Sequence, residues 1–235
     1  MGETNNLKNN PSTEGLLLVN KTTGASSFTL VRILRKLLNV KKIGYAGTLD
    51  PFADGLMLML IGKKYTQLSD QLTGTDKQYK AKMVLGVMTD TYDSEGEKTI
   101  IEHQIPDEKT VKKVLKQFEG EIQQIPPMYS AKKINGKKLY QLARKGIEIE
   151  RKPIKVKVHI EEFVYEYPYL YFTVTCSSGT YIRSLAHDIG LALKTGAYLS
   201  QLTRTKVGPY SLDKAVNQTE LSDLGSQLEN MLTHL

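Results

Sequence analysis

Asp50, Tyr79 and Arg183 are the residues of this chain whose types could do covalent chemistry together. A carboxylate can attack an anomeric or ring carbon, and an adjacent arginine keeps it ionised and aimed through a charge-assisted hydrogen bond. A tyrosine adds a flat face for stacking a planar base and a hydroxyl that exchanges protons. Asp50 carries most of the argument, because it lies in the run Gly44-Tyr45-Ala46-Gly47-Thr48-Leu49-Asp50-Pro51-Phe52-Ala53-Asp54-Gly55. Gly44 and Gly47 permit backbone angles closed to other residues, while Pro51 fixes its own φ and pushes Asp50 toward an extended conformation. The expected result is a carboxylate on a stiff loop between two apolar segments. Each residue also has a structural reading: Asp50 caps its own turn, Tyr79 fills a core, Arg183 caps a neighbouring loop. Spacing alone does not bring the three together, nor does it separate an enzyme from an RNA-binding module.

The elements that must position these residues follow from apolar periodicity. Leu16 to Val19 reads as a short strand, followed by a turn and a helix capped by Ser26 or Ser27 that runs to about Leu38. Its core stripe is expected at Leu30, Ile33, Leu34 and Leu37, with Arg32, Arg35 and Lys36 opposite. After the Asp50 loop, Leu56 to Ile61 is apolar without alternation and reads as a central strand. Tyr79, Ala81, Met83, Leu85 and Val87 alternate with Lys80 and Lys82, which puts Tyr79 at the start of a half-buried strand and on its inward face. Asp107 precedes a helix with Val111, Val114, Leu115 and Phe118 inward, ending near Gly120. Ile154 to Ile160 and Leu170 to Cys176 alternate as two antiparallel strands. Ser178-Gly179-Thr180 opens a helix to about Lys194, closed by Gly196, with Arg183 in its first turn. This order, without regular βαβ spacing, predicts an α+β fold with a mixed, largely antiparallel central sheet flanked by helices and loops.

Composition narrows the function classes. The 235 residues can bury a full core, and one cysteine, Cys176, gives no disulfide framework. Met1 to Ser12 is polar, without the apolar core of a signal peptide, and no stretch reaches the length of a membrane span, so a cytoplasmic protein is expected. The four histidines are scattered and no CxxC occurs, which argues against a catalytic zinc. No phosphate-binding glycine loop precedes Gly62-Lys63-Lys64, and no GxGxxG is present, so ATP and NAD are not indicated. Asp90, Asp93 and Glu95 before Gly96 lack the alternation of a calcium loop and read as an acidic hairpin turn. The net charge of +7 is concentrated: Lys132 to Lys157 holds ten Lys or Arg against Glu148 and Glu150, a local +8. Such a patch suits a polyanion such as nucleic acid, or is simply a solvated lysine-rich loop.

The chain resembles the TruB-type tRNA pseudouridine synthases, which isomerise uridine 55 in the T loop. The resemblance rests on separated blocks in the family's order over about residues 15–210. They are Gly15-Leu16-Leu17-Leu18-Val19-Asn20-Lys21, Gly47-Thr48-Leu49-Asp50-Pro51, Asp76-Lys77-Gln78-Tyr79 and Thr89-Asp90-Thr91-Tyr92-Asp93. Pro126-Pro127-Met128-Tyr129-Ser130-Ala131 with Gly136-Lys137-Lys138-Leu139-Tyr140 follows, then Cys176-Ser177-Ser178-Gly179-Thr180-Tyr181-Ile182-Arg183 and Leu202-Thr203-Arg204.

The resemblance implies the pseudouridine synthase catalytic fold over residues 15–210, between a flexible polar tail at 1–14 and a short C-terminal extension at 211–235 without a complete PUA domain. It implies Asp50 as nucleophile, Tyr79 as the residue that stacks on the flipped uracil and can take a proton, and Arg183 as the partner of Asp50. Substrate binding falls to Lys21, Tyr45 and Leu202, and to Lys132, Lys133, Lys137 and Lys138 in a basic insertion at about 123–152 that closes over the T arm. The reaction breaks the bond from N1 to ribose and rejoins the uracil through C5, so no atom is gained or lost and no cofactor is implied. The residues do not distinguish attack on ribose C1′ from a route through a glycal. The uracil must leave its stack to reach the acid, which selects a strained, structured loop.

Two features depart from the family pattern. Tyr45-Ala46 stands where bacterial relatives commonly carry His-Thr, which implies a change in how base flipping is assisted. Without a complete PUA domain, tRNA binding is expected to be weaker and more salt-sensitive. A monomer acting without metal is expected. The reading from another class is a non-catalytic tRNA-binding or RNA-folding factor that keeps the fold. A retaining glycoside hydrolase would need a second carboxylate opposite the first, for which Asp90 and Asp93 are the nearby acids.

Overall fold

A computed structural model describes residues 13–134 and 136–235. The polar tail expected at 1–14 therefore lies outside the described residues except for Thr13 and Glu14. Thr13 is buried, and its hydroxyl donates to Glu229 Oε1 at 2.9 Å. In chain order the elements are β1 (Gly15–Lys21), α1 (Ser27–Leu38), β2 (Ile43–Ala46), β3 (Asp54–Ile61), α2 (Gly62–Thr66), α3 (Ser69–Thr73) and β4 (Lys77–Leu85). They continue with β5 (Val87–Thr89), β6 (Lys98–Ile100), α4 (Glu108–Leu115), β7 (Gly120–Gln124), β8 (Lys133–Ile134), β9 (Lys137–Lys138) and α5 (Leu139–Ala143). The last are β10 (Ile154–Glu166), β11 (Tyr169–Cys176), α6 (Ile182–Ala192), β12 (Ala197–Val207), β13 (Tyr210–Ser211), β14 (Val216–Asn217) and α7 (Leu221–Leu224). The fold is α+β, with mixed and largely antiparallel strand pairing and helices flanking the sheet.

The chain divides into two compact units, residues 1–77 with 203–235, and residues 78–202. In the first, β3 is the central strand, and its residues after Asp54 are all buried. It pairs antiparallel with β1 along its whole length, from Gly15↔Ile61 to Lys21↔Gly55. Two elements share its other edge. β2 pairs with Leu58 to Ile61, and β12 takes over in parallel at Thr203↔Asp54 and Arg204↔Gly55. The loop 47–53 thus leaves β2 just where β12 begins to cover β3. Gly55 is required there, since a Cβ would lie 2.4 Å from the Arg204 carbonyl oxygen. Leu16, Ala46, Leu56, Leu58, Leu60, Tyr65, Leu72 and Val207 form the core of this unit. Residues after 211 belong to it as well: β14 pairs parallel with β1 at Val19↔Val216, and Leu16 exchanges backbone hydrogen bonds with Thr233.

Helix α1 is capped by Ser26, whose hydroxyl accepts from Thr29 N. Its buried stripe is Leu30, Val31, Leu34 and Leu38, whereas Ile33 and Leu37 of the expected stripe are half-buried. Apolar residues at 30, 31, 33, 34, 37 and 38 cover a wide arc, so two helical stripes fit the pattern equally well and packing chooses between them.

The second unit carries the strand order β12-β4-β11-β10-β7. β10 pairs antiparallel with β11 and with β7, and β4 shows the expected alternation with Tyr79 buried. Helix α4 is capped by Asp107, buries Val111, Val114 and Leu115, and gives way to a 3₁₀ turn at Lys116–Phe118. Helix α6 begins at Ile182, later than the Ser178-Gly179-Thr180 run suggests, because the Thr180 hydroxyl closes a turn onto Ser177 O instead of capping the helix. β12 left no clear sequence pattern, since Ala197, Tyr198 and Leu199 are buried in succession and the charged Arg204 occupies an inward position.

Candidate active site

Three buried side chains hold the Asp50 loop from within the first unit. The Lys21 ammonium, fully buried at the end of β1, donates to Ala53 O at 2.6 Å, Ala25 O at 2.8 Å and Thr22 O at 3.0 Å, with Pro51 O at 3.5 Å. Ser27, at the start of α1, donates to Leu49 O at 2.9 Å and accepts from Leu49 N at 3.0 Å. Arg204, 1% exposed, donates through Nε to Leu56 O at 2.7 Å and through its two Nη atoms to Gly47 O at 3.2 Å and Thr48 O at 3.4 Å. The loop closes on itself through Ala53 N to Asp50 O, and Pro51 O accepts from Gly24 N at 2.7 Å. Carbonyls on both sides of Asp50 are thereby fixed by cations, in bonds stronger than those between neutral groups. Lys77 is also buried, and its ammonium donates to Thr73 O and Thr75 O.

Lys21, expected among the substrate-binding residues, has its ammonium on the loop carbonyls. Of the two candidate caps of α1, Ser26 is the cap and Ser27 binds the loop, and the role of Arg204 has no counterpart among the sequence expectations. One clue was available for Arg204: it shares strand parity with Leu202, and a charge at an inward position of a strand must find partners. Tyr45 is half-buried on β2 opposite Met59, and its carbonyl accepts from Ser69 Oγ at 3.3 Å.

In the second unit, Arg183 is 5% exposed in the first turn of α6. Its Nη2 donates to Tyr129 O at 2.7 Å and its Nη1 to Thr91 O at 3.0 Å, while Asp93 Oδ2 lies 3.2 Å from Nη1. Asp93 is 3% exposed, and its other oxygen accepts from Thr91 Oγ1 at 2.6 Å and Glu95 N at 3.0 Å. The acidic hairpin turn therefore hides a buried ion pair. Nothing local in the sequence marks it, because the partner comes from an element 90 residues later. The helix itself is anchored by the buried Gln124 amide, which donates to Tyr181 O at 3.0 Å and accepts from Tyr181 N at 2.8 Å, and by Ser184 Oγ donating to Ile125 O at 3.0 Å. Gln124 thus pins both backbone polar groups of Tyr181, the residue at which the helix begins and which makes no side-chain cap of its own. Tyr79 and Leu202 are buried in this unit at 8% and 6% exposure.

The basic insertion forms a small hairpin, with Lys133↔Lys138 and Ile134↔Lys137 paired antiparallel. Like charges directly opposite one another on a ladder are unfavourable without a counter-charge. Lys138 Nζ and the Arg144 guanidinium both lie near the Tyr140 ring, at 5.7 and 5.4 Å from its centroid. No described helix is long and apolar enough to cross a membrane.

The family model of TruB family pseudouridylate synthases, N-terminal domain, matches residues 35–182, more than half of the chain and including Asp50, Tyr79 and Asp93. The chain belongs to the TruB family. A second model, the tRNA pseudouridylate synthase B C-terminal domain, matches residues 183–234. The chain is 52% identical over 219 residues to the tRNA pseudouridine synthase B of Protochlamydia amoebophila, covering 93% of this chain and 84% of that TruB protein. It is 54% identical over 204 residues to that of Chlamydia pneumoniae, covering 87% of each. Among solved structures, a chain of a Cbf5–Nop10–Gar1 complex superposes with a TM-score of 0.70 at 32% identity, covering 90% of this chain and 54% of that one. A chain of the archaeal box H/ACA sRNP Nop10–Cbf5 complex superposes at 0.68 with 26% identity, covering 94% and 60%. The chain thus spans just over half the length of these structural neighbours of the TruB fold.

Proposed function

We propose that the chain isomerises the T-loop uridine of tRNA, position 55, to pseudouridine, with Asp50 as nucleophile. Isomerisation of uridine in tRNA follows from the family and from relatives more than 50% identical over most of the chain. The observation that supports Asp50 in particular is the set of buried clamps on its loop: Lys21, Ser27 and Arg204 fix the backbone on both sides of this one carboxylate. A stiff loop costs little further ordering when the ribose arrives, which is how pre-organisation lowers a barrier. Lys21 belongs with the substrate-binding residues and also holds that loop. Tyr79 provides the stacking face for the extruded uracil, Leu202 lines the pocket, and Tyr45 assists extrusion with a flat ring. Arg183 is the cation of the reacting centre.

The reaction redistributes one base on one sugar. The C1′–N1 bond breaks, a C1′–C5 bond forms, the C5 proton leaves and N1 regains one, so the atoms balance without a co-substrate. Lys132, Lys133, Lys137 and Lys138 bind the T arm by neutralising phosphates, which also relieves the repulsion between Lys133 and Lys138.

The test is treatment of an unmodified tRNA transcript with the full chain and with Asp50→Asn, followed by carbodiimide adduct formation and primer extension. The expected result is a stop at the T-loop uridine with the wild type only, while Asp50→Asn still binds tRNA. Substantial turnover by Asp50→Asn would sink the nucleophile assignment. No stop anywhere with tRNA still bound would make the chain a non-catalytic tRNA-binding factor.

A further inference from the structure

Tyr92 is held against its own preference. Its φ is +64°, a left-handed conformation that a bulky side chain seldom adopts and that persists only where the surroundings determine it. The reversal at Tyr92 has a visible consequence: the residues on either side of it, Thr91 and Asp93, both reach the Arg183 Nη1 atom, one with its carbonyl and the other with its carboxylate.

What holds Tyr92 is His187. The two rings stack with centroids 3.8 Å apart and planes 16° from parallel. His187 follows Arg183 by four residues on α6, so both side chains leave the same side of the helix, one turn apart. The helix that carries the guanidinium therefore also carries the plate against which its receptor turn is braced. Tyr92 O also accepts from Leu199 N at 3.0 Å, which fixes the exit of the turn on β12. Burial pushes the His187 imidazole below its usual pKa and keeps it neutral, so the brace adds no second cation beside Arg183. Its Nδ1 is buried without a hydrogen-bond partner, as suits a ring used for its face and not for its polar atoms.

We infer that His187 is a positioning residue for uridine isomerisation: by stacking on Tyr92 it fixes the Thr91–Asp93 turn that sets the Arg183 guanidinium. The inference rests on the proposed place of Arg183 in the reacting centre, and its test separates the two. Single-turnover rates of pseudouridine formation and tRNA affinities are measured separately for the wild-type chain, Arg183→Ala, His187→Ala, His187→Leu and His187→Phe, at a temperature where melting curves show each folded. Arg183→Ala is expected to lose at least about 10³-fold in rate. Misplacing a reacting group by about 1 Å costs on the order of 100-fold, and partial misplacement by loss of the brace is expected to cost about 10- to 50-fold in His187→Ala. The leucine variant, which fills the volume without a flat face, is expected to match alanine and keeps the test sound if alanine folds poorly. His187→Phe, which restores the plate, is expected to recover to within about threefold of wild type. All His187 variants should bind tRNA within about twofold of wild type, because a positioning role moves the rate and not the affinity. A wild-type rate for His187→Ala beside an inactive Arg183→Ala overturns the inference alone, as does a phenylalanine variant as slow as alanine. A wild-type rate for Arg183→Ala overturns the assignment of Arg183 and the inference with it.

Discussion

The Arg204 guanidinium donates to the Gly47 carbonyl at 3.2 Å, joining residues 157 positions apart in sequence and tying β12 to the loop that carries Asp50. The same side chain reaches Leu56 O and Thr48 O, so one planar cation fixes the strand after the loop and the loop itself. This use depends on the fork geometry of arginine, whose Nε and two Nη atoms donate in fixed, diverging directions from one plane, whereas a lysine ammonium at the same position would present one compact point.

Arg204→Lys is accordingly expected to keep the charge and lose the clamp. Leaving buried carbonyls unsatisfied costs about 1–3 kcal/mol each, and partial contact by the ammonium keeps the total near the lower end. In a chain of this size each kcal/mol lowers Tm by about 2–4 °C. Turnover should fall by about 10- to 100-fold through displacement of Asp50, with tRNA affinity little changed. Melting curves and single-turnover rates measured together check both parts. A variant that melts lower but reacts at the wild-type rate would make the clamp purely structural.

What was legible in the sequence was the local chemistry of turns and the periodicity of elements. Gly47 and Pro51 announced a stiff loop at Asp50, and alternation around Tyr79 put that ring inward, because both properties are decided by neighbours along the chain. The partners were not legible. Asp93 reads as a turn residue until α6 brings Arg183 against it, and nothing local assigns Arg204 a role until β12 is seen beside β3. The stripe of α1 holds at Leu30 and Leu34 but not at Ile33 and Leu37 for a related reason: six apolar residues allow two faces, and only the packed neighbours select one. Buried charge is the part of a site that sequence hides, since an ion pair is a property of two distant segments and has no period.

Asp93 carries the next prediction. Its carboxylate and the Arg183 guanidinium are each only about 5% exposed, and removing one member of such a pair takes an opposite charge from the buried other. Asp93→Ala should therefore destabilise the fold by about 3–5 kcal/mol in denaturant unfolding. Asp93→Asn, which retains the size and the acceptor oxygen, should cost less but still slow turnover. In a double-mutant cycle with Arg183→Met, the two losses should be far from additive. Additive losses would mean that the pair contributes no coupling.

The lysine hairpin makes a prediction that concerns salt, not stability. Changing Lys132, Lys133, Lys137 and Lys138 together to Gln removes like-charge repulsion across Lys133↔Lys138, so the fold should not suffer. Binding to tRNA should weaken, and the slope of log affinity against log salt should become shallower by about 0.7–0.9 for each phosphate no longer neutralised. The expected change is about 3 if each lysine neutralises one phosphate. Filter binding over a range of KCl concentrations reads this directly. An unchanged slope would place the RNA elsewhere.

Asp188, the neighbour of His187 on α6, gives a pH dependence whose sign can be worked out. Burial raises its carboxyl from 3.8 to about 6, so the folded state holds a proton that the unfolded state has released. A raised pKa contributes stability that is fully present below pH 3.8 and is lost as pH rises through about 6. At pH 8 the half-buried carboxylate is therefore a burden, which Asp188→Asn relieves. Discounted for solvent screening, the gain should be about 1–2 kcal/mol. His187 works in the opposite direction, since its lowered pKa costs stability as pH falls, but it is common to both proteins and cancels in their difference. Unfolding free energies of wild type and Asp188→Asn should thus diverge between pH 4 and pH 8, with the variant the more stable at the upper end. A difference that stays constant over that range would show that Asp188 titrates as an ordinary surface acid.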